Sequence, residues 1–88
     1  MPKITATFEV VDVERWLSLK EENAAIVAPF ATDVTTFVAL DGSNNVGMTM
    51  DVHDMAGMQS CLGSPSPEML ATEKQLGVIR PIVAYMEK

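Results

Sequence analysis

Two stretches of the chain alternate apolar and polar residues with the period of two that is typical of a β-strand with one buried face. The first runs from Ile4 to Val10 and the second from Val46 to His53. In the second stretch one face carries only apolar side chains, and the other carries Gly47, Thr49, Asp51 and His53. We therefore predict strands one and three here, each with two unlike faces.

Two further strands are predicted from composition and from the residues that bound them. Residues Val34 to Leu40 are rich in Val, Thr and Phe and stop at Asp-Gly-Ser-Asn-Asn, residues that favour turns, at positions 41–45. This pattern indicates strand two followed by a hairpin. Residues Ile82 to Met86 directly follow Pro81, which is tolerated at a strand's first position, and supply strand four.

Two segments, one between strands one and two and one between strands three and four, are predicted to be helical. Asp12 can cap a first helix that Pro29 should end, with Trp16 on its inward face. The second helical region is predicted to be interrupted, with one helix over Met55–Leu62 and another from Ser66 to near Gly77.

The order strand, helix, strand, strand, helix, strand predicts an α+β fold, the ferredoxin-like β-α-β-β-α-β unit. Its four-stranded antiparallel sheet would have both helical regions on one face and strands one and three in the centre. We expect a single domain over residues 1–88. The expected core on the helix side of the sheet is Ile4, Ala6, Phe8, Val10, Val38, Leu40, Met48, Met50, Val52, Ile82, Ala84 and Met86.

The opposite face of the predicted sheet mixes hydroxyl, ionisable and bulky apolar side chains. Phe37, Val83 and Tyr85 would be bare there in a monomer, which favours a homodimer in which a second sheet covers this face. The whole predicted face comprises Thr5, Thr7, Glu9, Phe37, Ala39, Thr49, Asp51, His53, Val83 and Tyr85.

Charge and composition narrow the classes of function. The net charge of −6 would repel a nucleic-acid backbone, so we expect no nucleic-acid partner. The chain has neither an apolar run long enough to cross a bilayer nor a signal-peptide pattern, and it has a single cysteine, Cys61, with no second for a disulfide or a metal knuckle. We therefore expect a cytoplasmic protein without a membrane partner, in which Cys61 is a small buried residue on a helix.

Several segments together resemble the dimeric α/β-barrel superfamily of ferredoxin-like proteins, and the resemblance spans nearly the whole chain. Residues 8–16 resemble its first strand and helix entry, with Asp12 and Trp16 four apart. Residues 62–65 with Glu68, and residues 77–81 running into 85–87, are similar to the ending of many small members.

That resemblance implies a small-molecule binder among antibiotic-biosynthesis-type monooxygenases, haem-degrading monooxygenases, isomerases, polyketide cyclases and stress-responsive proteins. The haem-degrading branch relies on an Asn on strand one, whereas this strand presents Thr5, Thr7 and Glu9. We accordingly expect no haem and no other cofactor.

The candidate chemistry centres on His53, the only histidine, which shares a strand face with Asp51. Asp51 could orient the imidazole as a general base, but the alternative, which the position at a strand end favours, is that His53 is a half-exposed strand terminator. Tyr85, Thr7, Thr49 and Phe37 are the expected substrate-binding residues, with hydroxyls to position a carbonyl or enolate. Strand pairing argues against a metal site.

Two classes of function follow. The first is a dimeric barrel that holds an aromatic or mainly apolar molecule and acts as a cofactor-independent monooxygenase, isomerase or cyclase. The second is a non-catalytic ligand-binding or stress-related protein, or a plain dimerisation module with a filled barrel.

Overall fold

The computed structural model describes residues 2–87 and contains four strands and four helices. Their order along the chain is β1 (Lys3–Val10), α1 (Val13–Ser18), α2 (Lys20–Val27), β2 (Ala31–Val38), β3 (Asn45–Val52), α3 (Met55–Gly63), α4 (Pro67–Gln75) and β4 (Val78–Met86). The strands form one antiparallel sheet in the order β2-β3-β1-β4. The predicted ferredoxin-like α+β fold, with β1 and β3 central, is therefore confirmed.

The core lies between the helices and one face of the two central strands. Ile4, Ala6, Phe8 and Val10 of β1 are buried, as are the apolar residues that the register places beside them on β3. Trp16 of α1 is 1% exposed and packs edge-on against Phe8, with ring centroids 5.7 Å apart. The period-two pattern thus predicted the faces of β1 and β3 correctly.

Both edge strands depart from the prediction. β4 begins at Val78 rather than at Ile82, so Pro81 lies within the strand instead of before it. β2 runs from Ala31 to Val38 rather than from Val34 to Leu40, and a bulge interrupts its pairing between Thr32 and Thr35, where Asp33 has a φ of 55°. Leu40 follows the strand and is fully exposed, so its expected place in the core was wrong. The hairpin that joins β2 to β3 is confirmed.

The prediction was also wrong for the core positions at the sheet edges. Val38 pairs with Val46 and Met86 pairs with Ile4, which places both on the helix side, yet each is about half exposed. Ala84 is exposed as well. The helices cover the middle of the sheet, and the outer strands extend beyond that cover.

The first helical region is two helices rather than one. Leu19 separates α1 from α2, and the Asn23 amide Nδ2 donates to the Trp16 carbonyl at 3.4 Å and to the Leu19 carbonyl at 3.0 Å. Each of these carbonyls also accepts a backbone hydrogen bond, from the Leu19 N–H at 3.1 Å and from the Asn23 N–H at 2.9 Å, so the Asn23 side chain reinforces the junction between the two helices. The predicted interruption between α3 and α4 is confirmed, with Asp54 and Ser66 as N-caps.

Candidate functional site

The helix-free face of the sheet, here called the open face, is built from two neighbouring cross-strand rows. Strand register places Thr35, Thr49, Thr5 and Tyr85 side by side across all four strands. Thr5 Oγ1 lies 3.1 Å from Thr49 Oγ1, so these two hydroxyls are hydrogen-bonded. The first row is therefore a line of four hydroxyl groups.

The second row of the open face carries Phe37, Gly47, Thr7 and Val83. Because Gly47 has no side chain, a groove remains between Phe37 and Thr7. The Thr7 hydroxyl donates to the Val83 carbonyl at 3.4 Å. The structure thus brings the four predicted substrate-binding residues, Thr7, Phe37, Thr49 and Tyr85, onto one surface.

The two residues predicted to act in catalysis lie at the end of that face. Asp51 pairs with Lys3, and its Oδ1 is 3.5 Å from Lys3 Nζ. β3 ends at Val52, one residue earlier than predicted, and His53 follows it as an exposed residue. Within residues 2–87 no hydrogen bond or salt bridge joins the side chains of Asp51 and His53.

A second candidate site lies on the other side of the sheet, between the sheet and the helices. This inner cavity has a volume of about 60 Å³ and an almost wholly apolar wall. Its lining includes Ala6, Phe8, Met48 and Met50 from the sheet, with Ile26 and Met58 from the helices. Enclosed apolar cavities of about 150 Å³ are known to accept apolar ligands such as benzene, and this cavity is smaller.

Two polar side chains that also line the inner cavity are among the most buried in the protein. Asn23 on α2 and Glu73 on α4 are each 6% exposed. Charged and amide side chains are rarely buried to this degree unless they have partners. Sequence reasoning missed both residues, because polar residues at helical spacing usually mark the solvated face.

The partner of Glu73 is Arg80 on β4, which holds it bidentately. Arg80 Nε is 2.9 Å from Oε1 and Nη2 is 2.8 Å from Oε2. The same guanidinium donates to the carbonyl groups of Cys61 and Leu62 near the end of α3. Its hydrogen bond to Glu73 raises the pKa of Arg80, which keeps the guanidinium charged. Arg80 therefore joins α3, α4 and β4 beside the inner cavity.

Cys61 also lines the inner cavity and is half-buried. Burial, followed by the nearby Glu73 charge, raises the pKa of its thiol, while Arg80 opposes this effect. The thiol is consequently neutral and behaves as a small apolar group with a weak hydrogen-bond donor. Cys61 lies on a helix as predicted, but it is only partly buried rather than buried.

Neither a membrane span nor a metal cluster is found in the described part of the chain. No helix within residues 2–87 is long and apolar enough to cross a membrane. In the same range, no group of three or more His, Cys, Asp or Glu side chains could hold a metal ion.

Comparison with known proteins places the fold. No protein-family model and no curated protein matches the sequence. Solved structures do match over nearly the whole chain. An antibiotic biosynthesis monooxygenase is 13% identical with a TM-score of 0.61, and the match covers 100% of this chain and 97% of that one.

Two further solved structures have the same architecture. The cofactor-independent oxygenase SnoaB from Streptomyces nogalater is 16% identical with a TM-score of 0.62, covering 99% of this chain and 90% of that one. A dimeric ferredoxin-like protein from an uncultured marine organism is 6% identical with a TM-score of 0.57, covering 98% and 92%. The chain therefore shares the ferredoxin-like fold of these solved structures.

Proposed function

We propose that this protein binds a compact, mainly apolar small molecule in the inner cavity between its sheet and its helices. The observation that carries the proposal is the combination of an apolar wall with two buried polar side chains, Asn23 and Glu73. Ligand pockets are commonly apolar with a few polar groups at their margin, whereas an unfilled gap in a core is destabilising.

A substitution that fills the inner cavity tests this proposal. Ala6 is buried in the cavity wall, and its register partner Ala84 is exposed on β4 outside that wall. In a thermal-shift screen of small aromatic compounds, we expect wild type and Ala84→Val to be stabilised by the same compounds. Ala6→Val should lose that stabilisation, because the added methyl groups occupy the ligand's space. Equal stabilisation of Ala6→Val and Ala84→Val would contradict the proposal.

We further propose that two copies pair through their open faces. Phe37, Val83 and Tyr85 are 51%, 43% and 59% exposed on that face, which supports its burial against another sheet. Pairing would enclose the row of hydroxyl groups and the Gly47 groove. In this proposal the enclosed space is where Thr7, Phe37, Thr49 and Tyr85 would bind a substrate.

Cofactor-independent oxygenation, isomerisation or cyclisation is a second proposed function, and the likeness in fold to SnoaB, a cofactor-independent oxygenase, supports it. In this proposal His53 is the general base and Asp51 its partner. His53 is exposed and its ring forms no hydrogen bond within residues 2–87, so the imidazole is accessible to a substrate. Loss of a general base typically lowers a rate by about a hundred- to ten-thousand-fold. Turnover by His53→Ala at the parent rate would exclude this role.

A further inference from the structure

The inner cavity is smaller than the ring compounds that its apolar wall would attract. Its volume of about 60 Å³ is less than half of the roughly 150 Å³ of an apolar cavity that holds benzene. Binding of a ring therefore requires that one part of the wall moves outward. The wall has three parts, the sheet, α2 and the pair α3 and α4, and these are anchored to different degrees.

The sheet and α2 are firmly anchored. The sheet part of the wall stands on β1 and β3, the central strands, each of which is hydrogen-bonded to a neighbour on both sides. The chain after α2 is fixed by the buried Phe30, whose carbonyl accepts backbone hydrogen bonds from His53 and Asp54 at 2.9 and 3.2 Å. Asn23 ties α2 to α1. Outward movement of either part would break these hydrogen bonds.

The junction of α3 and α4 is anchored more weakly. α3 begins at Met55, soon after β3, and α4 ends at Gln75, just before β4, so the junction over residues 61–67 is the part of this segment farthest along the chain from the sheet. Most of its residues from 63 onwards are exposed. Within residues 2–87 the only hydrogen bonds between α3 and the sheet come from Arg80, at 3.1 Å to the Cys61 carbonyl and 3.2 Å to the Leu62 carbonyl.

Arg80 binds both helices with one rigid group. Its guanidinium is planar and presents its donors in a fixed fork, and the same group holds the Glu73 carboxylate of α4 bidentately. Cys61, Leu62 and Glu73 all line the inner cavity. A single side chain on β4 therefore holds three residues of the cavity wall in place.

From this arrangement we infer that Arg80 is a specificity-determining residue, which limits the size of the ligands that the inner cavity admits by holding the junction of α3 and α4 against the sheet. The inference rests on the proposed binding function of the same cavity. Loss of the two hydrogen bonds to α3 lets the junction move away from the sheet and enlarges the cavity. A ligand shifts the protein to this open form to the extent that it binds the open form more tightly than the closed one.

Arg80→Lys tests the inference, because it keeps a positive charge beside Glu73 while its three donors cannot reproduce the four hydrogen bonds of Arg80. In ligand-free protein, we expect amide hydrogen exchange at residues 59–63 to be about tenfold faster than in wild type, and to rise more than in β1 and β3. The control Val52→Ala truncates a buried side chain outside the cavity wall and should show no such selective change.

Benzene and p-xylene are a matched pair of probes that differ by two methyl groups. Their dissociation constants can be measured by ¹³C-methyl NMR of Met48, Met50 and Met58 in the cavity wall, with the half-exposed Met86 as an internal reference. We expect wild type and Val52→Ala to bind benzene more tightly than p-xylene. Arg80→Lys should shift the ratio of the two constants about tenfold towards p-xylene, the gain that two buried methyl groups give once they fit.

Two results would overturn the inference while leaving the proposed binding function in place. One is the same ratio of dissociation constants in wild type and Arg80→Lys, and the other is unchanged hydrogen exchange at residues 59–63 in Arg80→Lys. Failure of both probes to shift the cavity methyl signals of either protein would instead overturn the proposed binding function, and the inference with it.

Discussion

Glu73 and Arg80 form a bidentate ion pair across the turn between α4 and β4, with N···O distances of 2.9 and 2.8 Å. The Glu73 side chain is 7% exposed, whereas that of Arg80 is 27% exposed. The pair therefore has a deeply buried acid and a base that reaches towards solvent. This asymmetry decides which substitutions the fold should tolerate.

Removing the Arg80 guanidinium alone should destabilise the fold strongly. Arg80→Leu leaves the buried Glu73 carboxylate without its partner, and we expect a loss of about 3 kcal/mol in the free energy of unfolding. The double variant Glu73→Leu with Arg80→Leu should recover part of this loss, since no buried charge remains. Urea unfolding measures both changes.

The exposed Lys3–Asp51 pair is the control for that experiment, because the Lys3 side chain is half exposed. Lys3→Ala should change the free energy of unfolding by less than about 1 kcal/mol. Equal costs for Lys3→Ala and Arg80→Leu would show that burial of Glu73 does not govern the stability of this region.

The two faces of β3 should respond differently to substitution. Met50 is 2% exposed on the helix side, so Met50→Ala should cost about 2–5 kcal/mol in the free energy of unfolding. At Gly47 on the open face, an added Cβ would meet its nearest atom, the Ala6 carbonyl oxygen, at 3.6 Å, an ordinary contact. Gly47→Ala should therefore cost much less. Comparable losses measured by thermal unfolding would mean that the assigned faces of β3 are exchanged.

Pairing of two copies is tested at Val83, which the edge strand β4 presents on the open face. Val83→Glu would bury a charge in the proposed interface, so we expect light scattering to report a shift from two chains towards one. Val11→Glu makes the same change at an exposed residue outside the sheet and should leave the mass unchanged. A wild-type protein that is monomeric at micromolar concentration would remove the basis for the homodimer.

The raised pKa of Cys61 predicts slow alkylation near neutral pH. Burial is the main cause and the Glu73 charge adds to it, so the reactive thiolate is scarce until the pH exceeds the ordinary thiol value. Glu73→Gln removes one of the two raising effects and retains the Arg80 charge, which lowers the pKa. We expect iodoacetamide to label Cys61 faster in Glu73→Gln than in wild type at pH 8. An unchanged rate, with circular dichroism showing an intact fold, would contradict this electrostatic account.

Sequence reasoning succeeded where a local pattern and the global fold agree. Alternation of apolar and polar residues was sufficient for β1 and β3, because central strands are covered by helices on one face and their register is set by that burial. Asp12, Asp54 and Ser66 also cap helices as their residue types predict.

Sequence reasoning failed where the position of a residue in the folded protein overrides the local pattern. Leu40 continues the alternation of β2, but the strand ends at Val38 and the helices do not reach that edge. The bulge at Asp33 adds one residue to β2, and an alternating pattern of apolar and polar residues cannot predict such an insertion.

The inner-cavity residues were missed for a related reason. Asn23 and Glu73 have residue types that normally face solvent, and their burial depends on hydrogen bonds that form only when the adjoining helix or strand is in place, to the Trp16 and Leu19 carbonyls and to Arg80. The sequence did contain a signal, because Glu73 and Arg80 lie seven residues apart on either side of Gly77. In the structure Gly77 has a φ of 78° and reverses the chain direction. An acidic and a basic residue that flank such a turn can meet as the helix leads into the strand.

The central claim, that the inner cavity is a ligand site, is tested most directly by a crystal structure of the protein soaked with 4-bromopyrazole, a compact ring with one N–H donor. Anomalous scattering locates the bromine without ambiguity. The account predicts a bromine peak between the sheet and the helices, next to Met50 and Met58. Bromine found only on the open face, or at no site in well-diffracting soaked crystals, would contradict it.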